Sequence, residues 1–405
     1  MEILYILLVL LITTRIFSEL VKRIQFPAIL GEIIAGIILG LLFNGFSEYL
    51  PILSNLKHNE VFHAITDLSI FFLMLYAGLE LHPNEFKEAS GNAVWIALGG
   101  ILLPLILGLG AGWLIFSETS NRFALTLFLG VVLAITAVPI AVKLLMDLGE
   151  LNSKVGKAIV SAAVIDDVIS LLLLAVLTSF IAVGSMPEIG NVLLVSGKIV
   201  LFFVVAITLG KYVLPKANKL VFKNILVDEI EISFLLVVAL AFSLLAELLG
   251  MHFIMGSFVA GLFFVQRNMK KEVFESVKSK IKGISTGFLA PIFFASIGLN
   301  MDLTAISEIP WIIVLLIILA IIGKLVGTMI PAYFSGFSKK ELLMIGFSMN
   351  ARGVVSIIVA DVVLKAGLFN QPEKSVIVDN MFSAVVIMAV VTTVITPLAL
   401  RRFLK

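Results

Sequence analysis

The stretch AAVIDDVISLLLLAV, residues 162–176, places Asp166 and Asp167 side by side in an apolar run that contains no basic residue. A carboxylate at the centre of a membrane helix costs roughly 2.5 to 3.5 kcal/mol on insertion scales. If this run crosses a membrane, two adjacent carboxylates in it predict a function that needs both. The rest of the chain shows whether this run crosses a membrane.

The composition predicts an integral membrane protein. The 405-residue chain is 60% hydrophobic and 14% charged, whereas soluble domains have roughly 25% charged residues. The formal net charge of +2 gives no basic field for nucleic acid, and the absence of cysteine excludes disulfides and thiolate ligands. The four histidines lack the spacing of metal ligands, so we predict no histidine metal site.

Apolar segments of about 20 residues, the length that crosses a bilayer, recur along the chain. They predict an all-α polytopic membrane protein with about thirteen transmembrane helices. The predicted spans are residues 3–21, 27–44, 61–80, 91–116, 122–146, 154–182, 190–215, 229–249, 250–267, 284–300, 309–336, 341–366 and 376–400.

The distribution of basic residues predicts the orientation in the membrane. Of the 29 lysines and arginines, 21 lie in loops or span ends that follow odd-numbered spans, and 4 lie on the other side. By the positive-inside rule, the N-terminus is outside and the C-terminus is cytoplasmic, in a multi-pass protein of the cytoplasmic membrane. The four remaining cations, Arg15, Lys198, Lys324 and Arg352, lie within spans.

The chain also contains an internal repeat. At an offset of 225 residues, FSELVKRIQFPAILGEIIAG (17–36) matches FSLLAELLGMHFIMGSFVAG (242–261) at seven of twenty positions. Spans 1 and 8 are an odd number of spans apart, so the two six-helix repeats cross the bilayer in opposite directions. Such inverted repeats are typical of secondary transporters, whose sites lie near the midplane on broken helices.

The second repeat does not carry the acid pair. SAAVIDDV (161–168) aligns with SAVVIMAV (383–390), in which Met388 and Ala389 replace the two aspartates. The fold therefore packs without the acids, which indicates a functional role for them.

Two spans at equivalent positions of the repeats are interrupted. In VVLAITAVPIAVKLL (131–145), Pro139 removes a backbone donor and opens the helix beside Thr136, where freed carbonyls can bind a cation. We expect this helix to cross the partner span, SMNARGVVSII (348–358), near the two breaks. The residues that interrupt the partner span are Asn350, Arg352 and Gly353.

These residues resemble the monovalent cation:proton antiporter superfamily, in its second branch of bacterial and archaeal-type sodium/hydrogen exchangers with an Asp-Asp motif. The resemblance covers essentially the whole membrane region. Its motifs are LAITAVPIAVKLLMDLGELNSKVGKAIVSAAVIDDVISLLLLA (133–175), GKLVG (323–327) and NARGVVSIIVAD (350–361).

The resemblance implies a role for each site residue. Asp167 binds Na⁺ and a proton in alternation, and Thr136 contributes to the Na⁺ site with the two acids. Asp166 is the partner of Asp167 and pairs with Lys324, the counter-ion. Arg352 compensates charge at the facing carbonyl ends of the broken helices. Beyond the transported Na⁺ and H⁺, no cofactor is implied.

The resemblance and the repeat also imply a domain organisation. Residues 1–90 and 226–306 form scaffold helices 1–3 and 8–10, and residues 184–225 form linker helix 7. Residues 91–183 and 307–405 form the ion-translocating core, helices 4–6 and 11–13. Relatives of this kind are homodimers in which the core moves against the scaffold.

The predicted function is secondary active transport, an electrogenic exchange of sodium, or lithium, for protons that serves pH homeostasis. A potassium/proton antiporter or potassium efflux system has the same fold and remains open, although efflux members usually have Gln-Asp at the pair and a nucleotide-binding domain. A channel needs a continuous polar lining, whereas these charges cluster at one depth. An intramembrane aspartyl protease needs acids on two helices, and adjacent acids on one helix point about 100° apart.

Overall fold

The computed structural model describes residues 2–24, 26–45, 56, 59–80, 91–116, 121–136, 153–183, 189–217, 229–264, 271–352, 354–370 and 375–404. Within these ranges all regular secondary structure is helical. The helices are α1 (Glu2–Arg23), α2 (Ala28–Gly45), α3 (Glu60–Glu80), α4 (Gly91–Ile115), α5 (Arg122–Ala134), α6 (Lys154–Val183), α7 (Ile189–Thr208), α8 (Ile230–Leu248), α9 (Phe253–Phe263), α10 (Lys271–Ile284), α11 (Ala290–Asn300), α12 (Ala305–Glu308), α13 (Pro310–Phe334), α14 (Lys339–Met349), α15 (Val354–Lys365), α16 (Val376–Asp379) and α17 (Met381–Leu404).

The predicted all-α polytopic fold class is confirmed. In the described part of the chain, nine helices are long and apolar enough to cross a membrane, and α2, α5 and α9 are shorter apolar helices. The predicted span 341–366 is two helices, α14 and α15, because the chain leaves the helical conformation after Asn350.

The described residues between the predicted spans 250–267 and 284–300 are helical. A single π-helical turn, Ser285–Leu289, joins α10 to α11, so the amphipathic α10 continues directly into the next span. Hydropathy could not show this continuity, because α10 buries only one face, through Phe274, Val277 and Ile281.

The chain divides into two compact units. Unit 1 comprises Met1–Pro83 and Asn191–Met301, and unit 2 comprises Asn84–Gly190 and Asp302–Lys405. Each unit therefore combines segments from both halves of the sequence. The roles of scaffold, linker and core stay predictions.

In unit 1 the repeat is visible in helix crossings that only glycine permits. A Cβ atom on Gly31 would lie 2.4 Å from the carbonyl oxygen of Phe17, and one on Gly256 would lie 2.2 Å from that of Phe242. Both glycines and both phenylalanines are 225 positions apart. The α1–α2 crossing and the α8–α9 crossing are thus equivalent contacts.

A second pair of crossings repeats in the same way. A Cβ atom on Gly298 of α11 would lie 2.2 Å from the Ile33 oxygen of α2, and one on Gly78 of α3 would lie 2.2 Å from the Phe258 oxygen of α9. Ile33 and Phe258 are also 225 positions apart. The repeat therefore preserves backbone contacts even where the side chains have diverged.

In unit 2, α4 and α13 cross at two facing glycines. A Cβ atom on Gly99 would lie 2.2 Å from the Gly327 oxygen, and one on Gly327 would lie 2.4 Å from the Gly99 oxygen. Helix α6 packs on α4, α5 and α14, with Ile96, Ile159 and Ile345 in one buried cluster. This packing brings Gly100 of α4 and Lys324 of α13 close to the acid pair.

We predict that Gly256→Ala destabilises the protein by about 1 to 3 kcal/mol, because the new methyl group meets backbone atoms that cannot rotate away. The measurement is the thermal melting temperature in detergent. Gly197→Ala in α7 is the matched control, since its Cβ atom has no neighbour within 4 Å among the described residues. Equal melting temperatures for the two variants would contradict the assigned crossing.

Candidate functional site

The site is built at the broken end of α5. This helix is buried from Ala124 onward and ends at Ala134, after which Ile135 is extended, with φ −68° and ψ 141°. A helix that ends leaves its last carbonyl groups without intrahelical donors. Thr136 follows, fully buried, and its hydroxyl has no hydrogen-bond partner in the part of the chain that the structure describes. Pro139 lies outside the described residues.

Arg352 binds the carbonyl groups at this broken end. Its Nη2 donates to the oxygen of Leu133 at 2.6 Å, and its Nη1 donates to the oxygens of Val132 and Ile135. The side chain is buried, and the backbone carbonyl of Arg352 accepts a hydrogen bond from Thr393 of α17. The second break is therefore held against the first by one guanidinium group. Gly353, also predicted at this break, lies outside the described residues.

Lys324 of α13 binds the remaining carbonyl group of this end. Its ammonium group donates to the oxygen of Ala134, to the oxygen of Gly100 at 2.8 Å and to Oδ1 of Asp166 at 2.9 Å. All three ammonium protons are thus used. Together, Arg352 and Lys324 take the carbonyl groups of the four consecutive residues 132–135.

The electrostatics explain why two cations are stable here. The C-terminal end of a helix carries a partial negative charge of about half an elementary charge, which attracts cations. A buried cation also needs hydrogen bonds and a compensating charge. For Lys324 the compensating charge is Asp166, and the side chains of this ion pair are 1% and 0% exposed.

The two adjacent aspartates have different surroundings. Asp166 is fully buried and ion-paired, whereas Asp167 is partly exposed and has no ion-pair partner within 4 Å among the described residues. Oδ1 of Asp167 and Oδ2 of Asp166 are buried without hydrogen-bond donors in the described ranges. Successive helix positions point about 100° apart, which is why one acid meets Lys324 and the other does not.

Sequence reasoning missed several groups in this site. The carbonyls of Gly100 and Ala134 bind Lys324, and the Thr393 hydroxyl binds the backbone of Arg352. Backbone carbonyls carry no residue signature. The one usable signal in the sequence is the adjacent pair Gly99 and Gly100, which permits close helix packing. Asp361 and Lys365, four residues apart, form a local ion pair with 3.1 Å between Oδ2 and Nζ.

Comparison with known proteins identifies the family. The family model described as "Sodium/hydrogen exchanger, transmembrane" matches residues 6–405. The chain belongs to this family. The resemblance inferred from the acid pair, the lysine and the broken helices is thereby confirmed.

Individual relatives agree with this assignment. The chain is 32% identical to the "Na(+)/H(+)-K(+) antiporter GerN" of Bacillus cereus, over 96% of this chain and 92% of that protein. It is 31% identical to a "Na(+)/H(+) antiporter" of Enterococcus hirae, over 100% and 99% of the two chains. The structure of the sodium proton antiporter MjNhaP1 from Methanocaldococcus jannaschii shares the fold, with a TM-score of 0.72, 17% identity and coverage of 100% and 99%.

Family membership makes this chain a multi-pass cation/proton antiporter and not an enzyme. The alternative of an intramembrane aspartyl protease is therefore wrong. The geometry agrees, because both acids lie on α6 and one of them is bound to Lys324.

The buried ion pair gives a double-mutant prediction. We expect Lys324→Gln to destabilise the protein by about 3 to 5 kcal/mol, because Asp166 becomes an uncompensated buried charge. Thermal melting in detergent should show a smaller loss for Lys324→Gln combined with Asp166→Asn, since both charges are then absent. Additive losses from the two single changes would show that the residues do not interact.

Proposed function

We propose that this protein exchanges Na⁺ for protons by alternating access, with Na⁺ and the proton competing for Asp167. The observation that carries the proposal is the unequal pairing of the acids: Lys324 holds Asp166, and Asp167 has no ion-pair partner among the described residues. An unpaired carboxylate at this depth needs a cation or a proton as its partner. The two ligands therefore exclude one another.

The available ligands suit an alkali cation. The site offers the free carboxylate oxygens of Asp166 and Asp167 and the Thr136 hydroxyl, all of which are oxygen atoms without a donor in the described structure. Hard cations prefer such oxygen ligands. Exchange is obligatory if the site can open to the opposite side of the membrane only when it holds a cation or a proton.

We extend the proposal to orientation and assembly. The excess of lysine and arginine after odd-numbered spans supports an N-terminus outside and a C-terminus in the cytoplasm. A homodimer in the cytoplasmic membrane remains a prediction from the resemblance.

A specific observation supports potassium as the alternative substrate. The name of the Bacillus cereus relative includes potassium as well as sodium. Proton movement in proteoliposomes on addition of Na⁺, Li⁺ or K⁺ separates the two proposals. A response to K⁺ alone would replace Na⁺ with K⁺ as the substrate.

We predict that Asp167→Asn abolishes exchange and leaves the protein folded, because asparagine keeps the shape and cannot carry the proton. The measurement is cation-induced proton movement in proteoliposomes, with melting temperature as the test of folding. Asp302→Asn is the matched control, since Asp302 is exposed and, among the described residues, its side chain accepts hydrogen bonds from Thr304. Substantial exchange by folded Asp167→Asn would exclude Asp167 as the carrier.

We predict that exchange is electrogenic. The carbonyl groups of the α5 end offset Arg352, so Lys324 and the two acids remain as the charges to count. If Na⁺ displaces one proton from Asp167 and a second from Asp166 or Lys324, one net charge crosses per turnover. At 100 mV this charge is worth about 2.3 kcal/mol, which sustains a sodium gradient of roughly fiftyfold.

The electrical measurement is exchange under potentials set by valinomycin and K⁺, together with transient currents on a supported membrane. We expect the rate to change with the imposed potential. A rate independent of potential, with no current, would indicate one-for-one exchange and leave the role of Asp167 intact.

A further inference from the structure

Many buried hydroxyl groups in the described part of the protein bond to the backbone of their own helix, and others, such as those of Ser243 and Ser285, bond to a neighbouring segment. Serine and threonine in helices satisfy their hydroxyl groups by donating to the carbonyl three or four residues earlier. The buried hydroxyls that do so include those of Thr14, Ser69, Ser257, Ser296, Thr328, Thr392 and Thr396.

Five buried hydroxyls, all in unit 2, make neither kind of bond. None of them has a hydrogen-bond partner among the described residues, although buried polar atoms are nearly always paired. Four of the five lie within a few residues of a break or of the acid pair. They are Thr126, Thr136, Ser170, Ser348 and Ser356.

Ser170 is placed beside both acids by helix geometry. It lies three residues after Asp167 and four after Asp166 on α6, and such positions share one helix face. Its side chain is fully buried. Its unbonded oxygen is therefore directed to the side of α6 that carries the carboxylates.

Asn350 presents a complete unpaired amide at the second break. Neither its Oδ1 nor its Nδ2 has a partner within the described ranges, and the residue is 1% exposed. Asparagine at a helix end is often explained by a left-handed backbone or a side-chain cap. Here the backbone is right-handed, with φ −81° and ψ −15°, and the backbone N–H makes the capping bond to Phe347.

The residues that flank Asn350 contact the elements that carry the acid pair and Thr136. Met349 packs in one buried cluster with Ala162 and Ala163, within two turns of the acids on α6. Arg352, two residues after Asn350, binds the end of α5 that precedes Thr136. The chain on each side of Asn350 thus contacts an element that carries a proposed ligand.

We propose that the Ser170 hydroxyl and the Asn350 amide oxygen are further ligands of the transported alkali cation, one from each repeat. This inference rests on the exchange function proposed above. Both oxygens are neutral, so they contribute to binding the dehydrated cation without providing a site for the proton. The number and position of these neutral oxygens therefore set the preference among alkali cations.

The test compares Ser170→Ala and Asn350→Ala with two controls whose polar groups are already bonded inside the protein. Thr178→Val on α6 removes a hydroxyl that donates to Leu174, and Asn380→Ala removes an amide that donates to Glu308 and Val376. In proteoliposomes we expect each test variant to raise the Na⁺ KM by about tenfold, which corresponds to about 1.4 kcal/mol. The maximal rate should be nearly unchanged, and the Na⁺ to K⁺ rate ratio should shift.

The controls should keep the KM and the cation preference of the unmodified protein, and Ser170→Thr, which retains a hydroxyl, should restore the KM. A thermal-shift titration with NaCl measures binding without transport. There the stabilisation by Na⁺ should need about tenfold more salt in Ser170→Ala and Asn350→Ala, because a ligand stabilises the folded state according to its affinity.

If either test variant kept an unchanged Na⁺ KM and an unchanged cation preference, the proposed coordination would be wrong. A test variant that loses maximal rate and melting temperature together, with the same KM, would also overturn it and indicate a packing role. Failure of the unmodified protein to move protons with any alkali cation would instead overturn the proposed function.

Discussion

Four consecutive backbone carbonyls at the end of α5, bound by two buried cations, are the contact on which the site depends. An interrupted helix leaves these oxygens without donors, and water is scarce at this depth. Arg352 takes three of them and Lys324 takes the fourth. Since Lys324 is then fixed beside α6, it pairs with Asp166, and the adjacent Asp167 has no ion-pair partner among the described residues.

The two repeats contribute complementary charges to this contact. The first repeat supplies the broken end of α5 and the two acids, and the second supplies Lys324 and Arg352. The carbonyls and the acid of the first repeat are bound by the cations of the second, so this contact exists where segments from both repeats meet in unit 2. The α4–α13 crossing at Gly99 and Gly327 is part of the same arrangement, because it allows the neighbouring Gly100 carbonyl to reach Lys324.

Unit 1 uses the same chemistry for structure. Arg15 of α1 donates to the carbonyls of Thr286 and Gly287 in the π-helical turn before α11. Pro291 follows this turn and has no N–H with which to bond the Gly287 carbonyl. An arginine thus satisfies oxygens released by an irregular helix in each unit. In unit 2 the arrangement also positions an ion pair beside Asp167, which has no ion-pair partner among the described residues.

The sequence alone determined the all-helical membrane fold, the internal repeat, the positions of the breaks and the acid pair, because hydropathy, repeated residues and charges within apolar segments can be read from the order of the residues. Resemblance to a family supplied the pairing of Asp166 with Lys324. Only the tertiary structure showed that α10 runs on into α11, and which carbonyls Arg352 and Lys324 bind. Every residue has the same carbonyl group, so its partner depends on where a helix stops and what packs against it there.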